Sequence, residues 1–214
     1  MKAIILCGMP AVGKTTVAKM IASRLGLKLV GGGDILKEIA LEEGYNAVGD
    51  DWWDTGEGMR FMQERKGSPE FDKEVDRRLL AKARTGDVVM TSYTLPWLSK
   101  HGVKVWLSGS KGSRAQRMAK RDSSSPEECA KVIDARDGEN NALYRKLYGI
   151  DFGNDLSPFD IVVGTDGVPA AEVAESVLKQ LKGVEGPKRP RGPARKAASK
   201  SKARRRKSGR RPSS

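Results

Sequence analysis

Residues 8–15 read Gly-Met-Pro-Ala-Val-Gly-Lys-Thr, directly after the apolar run Ala3-Ile4-Ile5-Leu6-Cys7. Two glycines separated by four residues, then a lysine and a hydroxyl residue, stand between a strand-like run and a helix-like one. Gly8 and Gly13 let the backbone curl so that successive N–H groups aim at phosphate oxygens, and the helix start adds the positive end of its dipole. Met9, Pro10, Ala11 and Val12 complete the cradle. Lys14 is the expected partner of the β- and γ-phosphates and Thr15 the expected Mg²⁺ ligand, with Thr16 closing the ATP-contacting stretch. The loop is read as binding a nucleoside triphosphate: ATP as phosphoryl donor, accompanied by Mg²⁺.

Transfer of a γ-phosphoryl group depends mainly on positioning and charge stabilisation, so arginines are expected on surfaces that close over the loop. Arg114, Arg117 and Arg121 fall at i, i+3 and i+7, one side of a helix; Arg136, Asn140 and Leu143 share a face of the next. A solvated charged face has the same spacing, but beside a phosphate loop the functional reading is preferred. Asp34, after Gly31-Gly32-Gly33, has two readings: a Mg²⁺ partner through water, or the N-cap of its helix. Val88-Val89-Met90 ends in Thr91 rather than an acidic residue, and no obvious water-orienting Gln or Glu follows. That counts against a motor or switch and favours transfer to a bound acceptor.

These groups need a frame. Strand and helix patterns alternate, which predicts a doubly covered parallel sheet of α/β class. Val17, Met20, Ile21 and Leu25 form the predicted apolar face of the first helix, with Gly26 as its stop signal. Further strands are expected at 28–30, 88–90, 103–107 and 161–163, and a helix from Asp34. A last helix over 169–182 carries Val173, Val177, Leu178 and Leu181 inward, with Glu175 and Lys179 as an i,i+4 pair. Two stretches differ in character. Residues 44–84 are charged, anchored by Trp52, Trp53, Phe61, Met62 and Phe71, and are the expected substrate lobe. Residues 114–136, around a Ser-rich turn, are the expected moving lid.

Of the forty basic residues, thirteen lie in 183–214 against the single Glu185, so the formal charge of +13 leaves only +1 on residues 1–182. That basic tail of Pro, Gly, Ala, Ser, Lys and Arg lacks apolar periodicity and is expected to be disordered. It suits sequence-independent binding of RNA or DNA, or serves only as a solubilising tail. Two cysteines, Cys7 and Cys129, are too few for a disulfide framework or a four-ligand metal site. His101 is expected at the surface, and Asp50, Asp51 and Asp54 lack metal-ligand spacing. With neither a signal-peptide pattern nor a membrane-length apolar run, a cytoplasmic, monomeric enzyme is expected.

Several stretches resemble the nucleoside monophosphate kinases, most closely the archaeal type of cytidylate kinase. They are the loop 8–15, the turn Gly33-Asp34-Ile35, the run Glu74-Val75-Asp76-Arg77-Arg78, the helix 114–121 and, most specifically, Leu147-Tyr148-Gly149-Ile150-Asp151. Leu156-Ser157, Phe159-Asp160 and Thr165-Asp166 continue the likeness, which covers about 1–182. It implies the P-loop kinase fold, with five parallel strands, a substrate lobe and a short lid. It also implies transfer from ATP to CMP or dCMP with Mg²⁺, with Lys14, Arg117, Arg121 and Arg136 as catalytic candidates.

The acceptor side departs from the family. Lys37 stands where an Arg is usual, a point charge in place of a bidentate fork. Thr91-Ser92-Tyr93 replaces Glu-Gly-Arg, and Leu143-Tyr144 lacks the usual Arg before Tyr. Arg60 and Arg65 are candidates to supply the lost charge, and Asp34, Lys37, Arg60, Arg77 and Tyr93 are the acceptor-site candidates. Tyr93 and Trp97 either stack on a base or are simply packed aromatics. Other acceptors (AMP, UMP or another small molecule) and a nucleic-acid-associated protein using ATP as a switch are the alternatives.

Overall fold

The computed structural model describes residues 1–48, 52, 56–67 and 69–184. Trp53, the Asp50, Asp51 and Asp54 cluster, and the tail from 185 onward lie outside the described residues, as do the side chains of Met62 and Arg65. Five strands, β1 (Ile4–Gly8), β2 (Lys28–Gly31), β3 (Val88–Thr91), β4 (Val103–Ser108) and β5 (Ile161–Gly164), form one sheet in the order β2-β3-β1-β4-β5. All neighbouring pairs are parallel, with Leu6 opposite Thr91 on one side and Val105 on the other. Among the described residues no helix is long and apolar enough to cross a membrane.

Successive side chains of a strand point to opposite faces, and β1 buries both. Ile4 and Leu6 face α1 (Lys14–Leu25) and α8 (Ala170–Val184) across a core with Val17, Ile21, Val173 and Val177. Ile5 faces α2 (Gly32–Glu42), α3 (Gly56–Gly67) and α4 (Pro69–Thr85), where Trp52 and Phe61 are fully buried. Cys7 enters a third cluster with Trp106, Tyr144, Phe152 and Phe159. Helix α5 (Leu95–Leu98) follows β3, while α6 (Lys111–Asp122) and α7 (Pro126–Tyr148) pair around Ala115, Met118, Cys129 and Ile133.

Caps explain several boundaries. Gly26 ends α1 at φ 65, a left-handed value that glycine adopts without a Cβ penalty. Ser125 opens α7 by accepting from Glu128 N–H (3.2 Å) while Glu128 accepts from Ser125 N–H (3.3 Å), with Pro126 in the first turn. Four expectations shift. Met20 is on the solvent side of α1 and Ala18 and Ala22 take the buried positions, because the apolar stripe is narrower than four large residues require. Helix α2 begins at Gly32, so Asp34 is inside its first turn and not at its cap. Glu175 reaches across to Arg24 on α1 (2.7 Å), a pair between helices where an i,i+4 pair with Lys179 was expected. Helix α8 runs to Val184, two residues past the expected end.

Candidate active site

The phosphate loop joins β1 to α1 at the C-terminal edge of the sheet. Gly8 has φ 153, and a Cβ there would lie 2.5 Å from the Leu107 carbonyl oxygen, so the loop can lie this close to β4 only with glycine. Gly13 caps α1 at φ 97 and no side chain caps the helix, leaving its first-turn N–H groups for an anion. Lys14 Nζ donates to the carbonyls of Gly8 (2.8 Å) and Met9 (3.1 Å) and lies over the Tyr93 ring. Burial pushes the Lys14 ammonium down to about 8, and repulsion from Arg136 and Arg114 acts in the same direction. Burial likewise pushes the neighbouring Cys7 thiol up to about 12, so it is a neutral packing group beside the loop.

The arginines on α6 and α7 divide into distinct tasks. Arg114 is 5% exposed, forks onto Asp137 (3.0 and 2.8 Å) and donates to the Pro10 carbonyl (3.2 Å). It therefore ties α6, α7 and the phosphate loop together, a role its spacing with Arg117 and Arg121 did not reveal. Arg117 donates to the Thr165 carbonyl at the end of β5. Arg121 is exposed and pairs with its neighbour Asp122 (2.5 Å). The three thus engage three different partners. Arg136 is exposed on α7, near enough to Lys14 and Tyr93 to influence both electrostatically.

Lys14 and Thr15 open into a cavity of about 280 Å³. The same cavity is lined by Asp72, Val75, Asp76 and Leu79 of α4, the stretch Ser92–Thr94, and Tyr144 of α7. Tyr93 packs edge-on against Phe152 at 5.5 Å, part of an aromatic wall completed by Trp97, Trp106 and Phe159. Asp76 is buried and accepts from Thr94 Oγ1 (2.5 Å) and Tyr148 Oη (2.8 Å).

Of the expected acceptor residues, Tyr93 lines this cavity. Asp34 is exposed at the start of α2, next to the lining residues Gly32 and Gly33, and its Oδ2 accepts from Gly31 N–H (2.7 Å). Lys37 follows one turn later, half-buried. Arg60 lines a different hollow with Asn46, Trp52 and Glu57. Arg77 is exposed and held by Glu74 (2.7 and 2.6 Å). On α4 the cavity takes residues 72, 75, 76 and 79, and Arg77 falls on another face. Asp72, Asp76, Ser92, Thr94 and Tyr144 were not among the candidates; Asp76 and Tyr148 do lie within quoted motifs.

The donor set suits a Mg²⁺ held largely by phosphate oxygens. Thr15 presents an exposed hydroxyl in the first turn of α1, and Asp34 keeps an oxygen beyond the one bonded to Gly31. Among the described residues no group of three or more His, Cys, Asp or Glu could hold a metal alone.

Residues 4–167 match the model of a family described as cytidylate kinase-like. A cytidylate kinase of Pyrococcus horikoshii is 36% identical over 163 residues, covering 76% of this chain and 79% of its own length. One of Ignicoccus hospitalis is 33% identical over 183 residues, 85% of this chain and 99% of its own. Among solved structures, a shikimate kinase of Acinetobacter baumannii has a TM-score of 0.54 over 87% of this chain and 96% of that one, at 18% identity, a likeness of fold alone.

Proposed function

Because this chain belongs to the cytidylate kinase-like family, we propose that its cleft transfers the γ-phosphoryl group of ATP to CMP or dCMP. The observation that carries the reading is the continuity of one cavity from Lys14 and Thr15 of the phosphate loop to Tyr93, Asp76 and Tyr144. An acceptor held there meets the γ-phosphorus without leaving protein. An oxygen of the acceptor phosphate forms a bond to the γ-phosphorus as the bond to the β,γ-bridging oxygen breaks, releasing ADP.

Within this reading the loop amides and Lys14 hold the triphosphate and balance charge that builds toward the leaving oxygen. Thr15, with Asp34 through water, would hold a Mg²⁺, which when bound would neutralise further phosphate charge. Residues 44–84 act as the substrate lobe and 114–136 as the lid of a 1–182 kinase unit. Closing the lid brings Arg136, and Arg121 released from Asp122, onto the transferred group, while Arg117 stays over the donor side beside Thr165. Lys37 and Tyr93 bound the acceptor near the loop.

An acceptor panel of CMP, dCMP, UMP, AMP, GMP and dTMP with ATP and Mg²⁺ tests the assignment. Preference for CMP and dCMP is expected; equal or greater turnover of another acceptor would overturn it. The thirteen basic residues beyond 182 support a second, separate reading, salt-sensitive association with RNA or DNA. Equal low-salt retention on a nucleic-acid column by the full chain and a chain ending at Val184 would refute that reading.

A further inference from the structure

We infer that a hollow at the N-terminal edge of the sheet, away from the nucleotide cleft, holds backbone phosphates of a single-stranded nucleic acid. The inference rests on the second reading above, association of the basic tail with RNA or DNA, and gives it a surface on the folded body.

The hollow, about 320 Å³, lies where β1, β3 and β4 begin. Lys2 leads into β1, Arg84 lies in the last turn of α4 ahead of β3, and Lys100 and His101 belong to the turn before β4. The phosphate loop leaves β1 at its other end, roughly 15 Å of strand away, so an occupant of the hollow leaves the cleft open.

Close backbone approach fixes the floor. Gly86 (φ 75) and Gly102 (φ 89) are left-handed; a Cβ would lie 2.5 Å from the Met1 carbonyl oxygen at the first and 2.9 Å from the Ala3 carbonyl oxygen at the second. The same two carbonyls accept from Asp87 N–H (3.0 Å) and Val103 N–H (2.7 Å). Ser99 Oγ, on a residue 3% exposed, accepts from His101 N–H (3.0 Å) and donates to the His101 carbonyl (2.9 Å). Tight, already ordered turns therefore present the cations, and less entropy is lost when an anion arrives.

Lys2, Arg84, Lys100 and His101 are all exposed, and none has an ion-pair partner among the described residues. On α4 itself, by contrast, Arg77, Arg78 and Lys82 are each held by a glutamate. No acidic residue lines the hollow, and Asp87, next to Gly86, is taken up by the Met1 ammonium (2.5 Å). Three permanent charges and a ring N–H thus face one recess without a counter-charge, and phosphate oxygens supply it.

The basic tail is tethered at this end. Met1 also borders a second hollow with Leu181 and Lys182 of α8. The first basic residue of the tail, Lys188, follows Val184 by four residues, at most about 15 Å of chain. A single strand can run from the tail cations into the recess, its phosphates meeting both, whereas a flat layer of lipid headgroups meets only the rim.

The test titrates the full chain against a fluorescein-labelled oligothymidylate of about twenty nucleotides and follows anisotropy across salt concentrations. Arg84→Gln with Lys100→Gln is compared with wild type and with Lys19→Gln plus Lys146→Gln, an equal charge loss at exposed positions elsewhere. The hollow pair is expected to bind about 10-fold or more weakly at about 0.1 M salt, with a log–log salt slope smaller by about 1.4, the value for two single-strand phosphate contacts. The control pair is expected to change affinity less than about 3-fold. Transfer to CMP is expected to be unchanged in both, with or without oligonucleotide. Equal affinities and slopes for the two pairs overturn the inference and leave the tail reading standing. Loss of turnover on adding oligonucleotide places the strand in the cleft and overturns it too. Should the Arg84 pair lower the melting temperature, Lys2→Gln gives the same comparison with a slope change of about 0.7. Stronger binding to phosphatidylserine vesicles than to oligonucleotide, lost in the hollow pair, assigns the surface to a membrane instead. No binding by the full chain at low salt brings down the tail reading and this inference together.

Discussion

The Nζ of Lys14 lies 4.3 Å from the centroid of the Tyr93 ring. One face of the ammonium is thereby shielded from water by an aromatic surface, while its protons reach the Gly8 and Met9 carbonyls. The contact joins the phosphate loop after β1 to the segment after β3, and both line the same cavity. A cation over a desolvated ring is held by up to about 2 kcal/mol, enough to set the lysine's direction without immobilising it. Tyr93→Phe keeps the ring and should change ATP affinity less than about 2-fold, whereas Tyr93→Ala should weaken it by about 5- to 30-fold. Titration with a fluorescent ATP analogue distinguishes the two.

Lys14→Ala removes the positioning charge and should lower kcat by about 100-fold or more, with the melting temperature little changed. Coupled-assay turnover above a tenth of wild type would refute the placement of Lys14 at the transferred phosphate.

The depressed pKa of Lys14 has a sign that can be measured. Its folded value, about 8, is below the unfolded 10.5, so its neutral form is favoured in the free protein above about pH 8. Over pH 8 to 10.5 the unfolded chain binds more protons at this site, and stability contributed by this group rises with pH. A bound triphosphate favours the charged lysine instead. Nucleotide binding should therefore take up a proton at pH 9 but not at pH 6.5, and affinity should fall as pH rises through 8. Calorimetry in two buffers of different ionisation enthalpy reads the uptake directly.

Arg114 and Asp137 form a buried ion pair that also holds the Pro10 carbonyl. Asp137→Leu strands the guanidinium and should cost about 3–5 kcal/mol. Arg114→Met with Asp137→Leu removes both charges and should recover much of that loss in stability, but not the tether to Pro10. Urea unfolding measures the first effect and ATP affinity the second.

Gly8→Ala should destabilise the fold by about 1–3 kcal/mol and weaken ATP binding, since the new methyl meets the Leu107 carbonyl at 2.5 Å. Thermal melts with and without ATP check both.

The strand, turn and helix around the phosphate loop were legible because their signal is local. Gly8, Gly13, Lys14 and Thr15 lie within one strand-turn-helix unit, where spacing along the chain is spacing in space. Each of the five strands was recognised within a residue or so from its apolar run; β1 and β3, buried on both faces, carry little else, while β5 exposes alternate residues. Arg114 misled for the opposite reason. Its charge and its spacing with Arg117 and Arg121 suggested a row that closes over the phosphates, yet its partner Asp137 is supplied by a different helix.

Asp76 and Arg77 show the same limit more sharply. Adjacent on α4, they differ by about 100° around the helix axis, so only one can face a given neighbour. The sequence by itself determined that this chain cradles a triphosphate, because backbone curvature and a helix start are encoded by consecutive residues. Which side chains line the cavity beyond the loop was decided only by the tertiary structure. The facing of α4, α7 and the end of β3 depends on packing across the whole sheet, and no single segment contains that information.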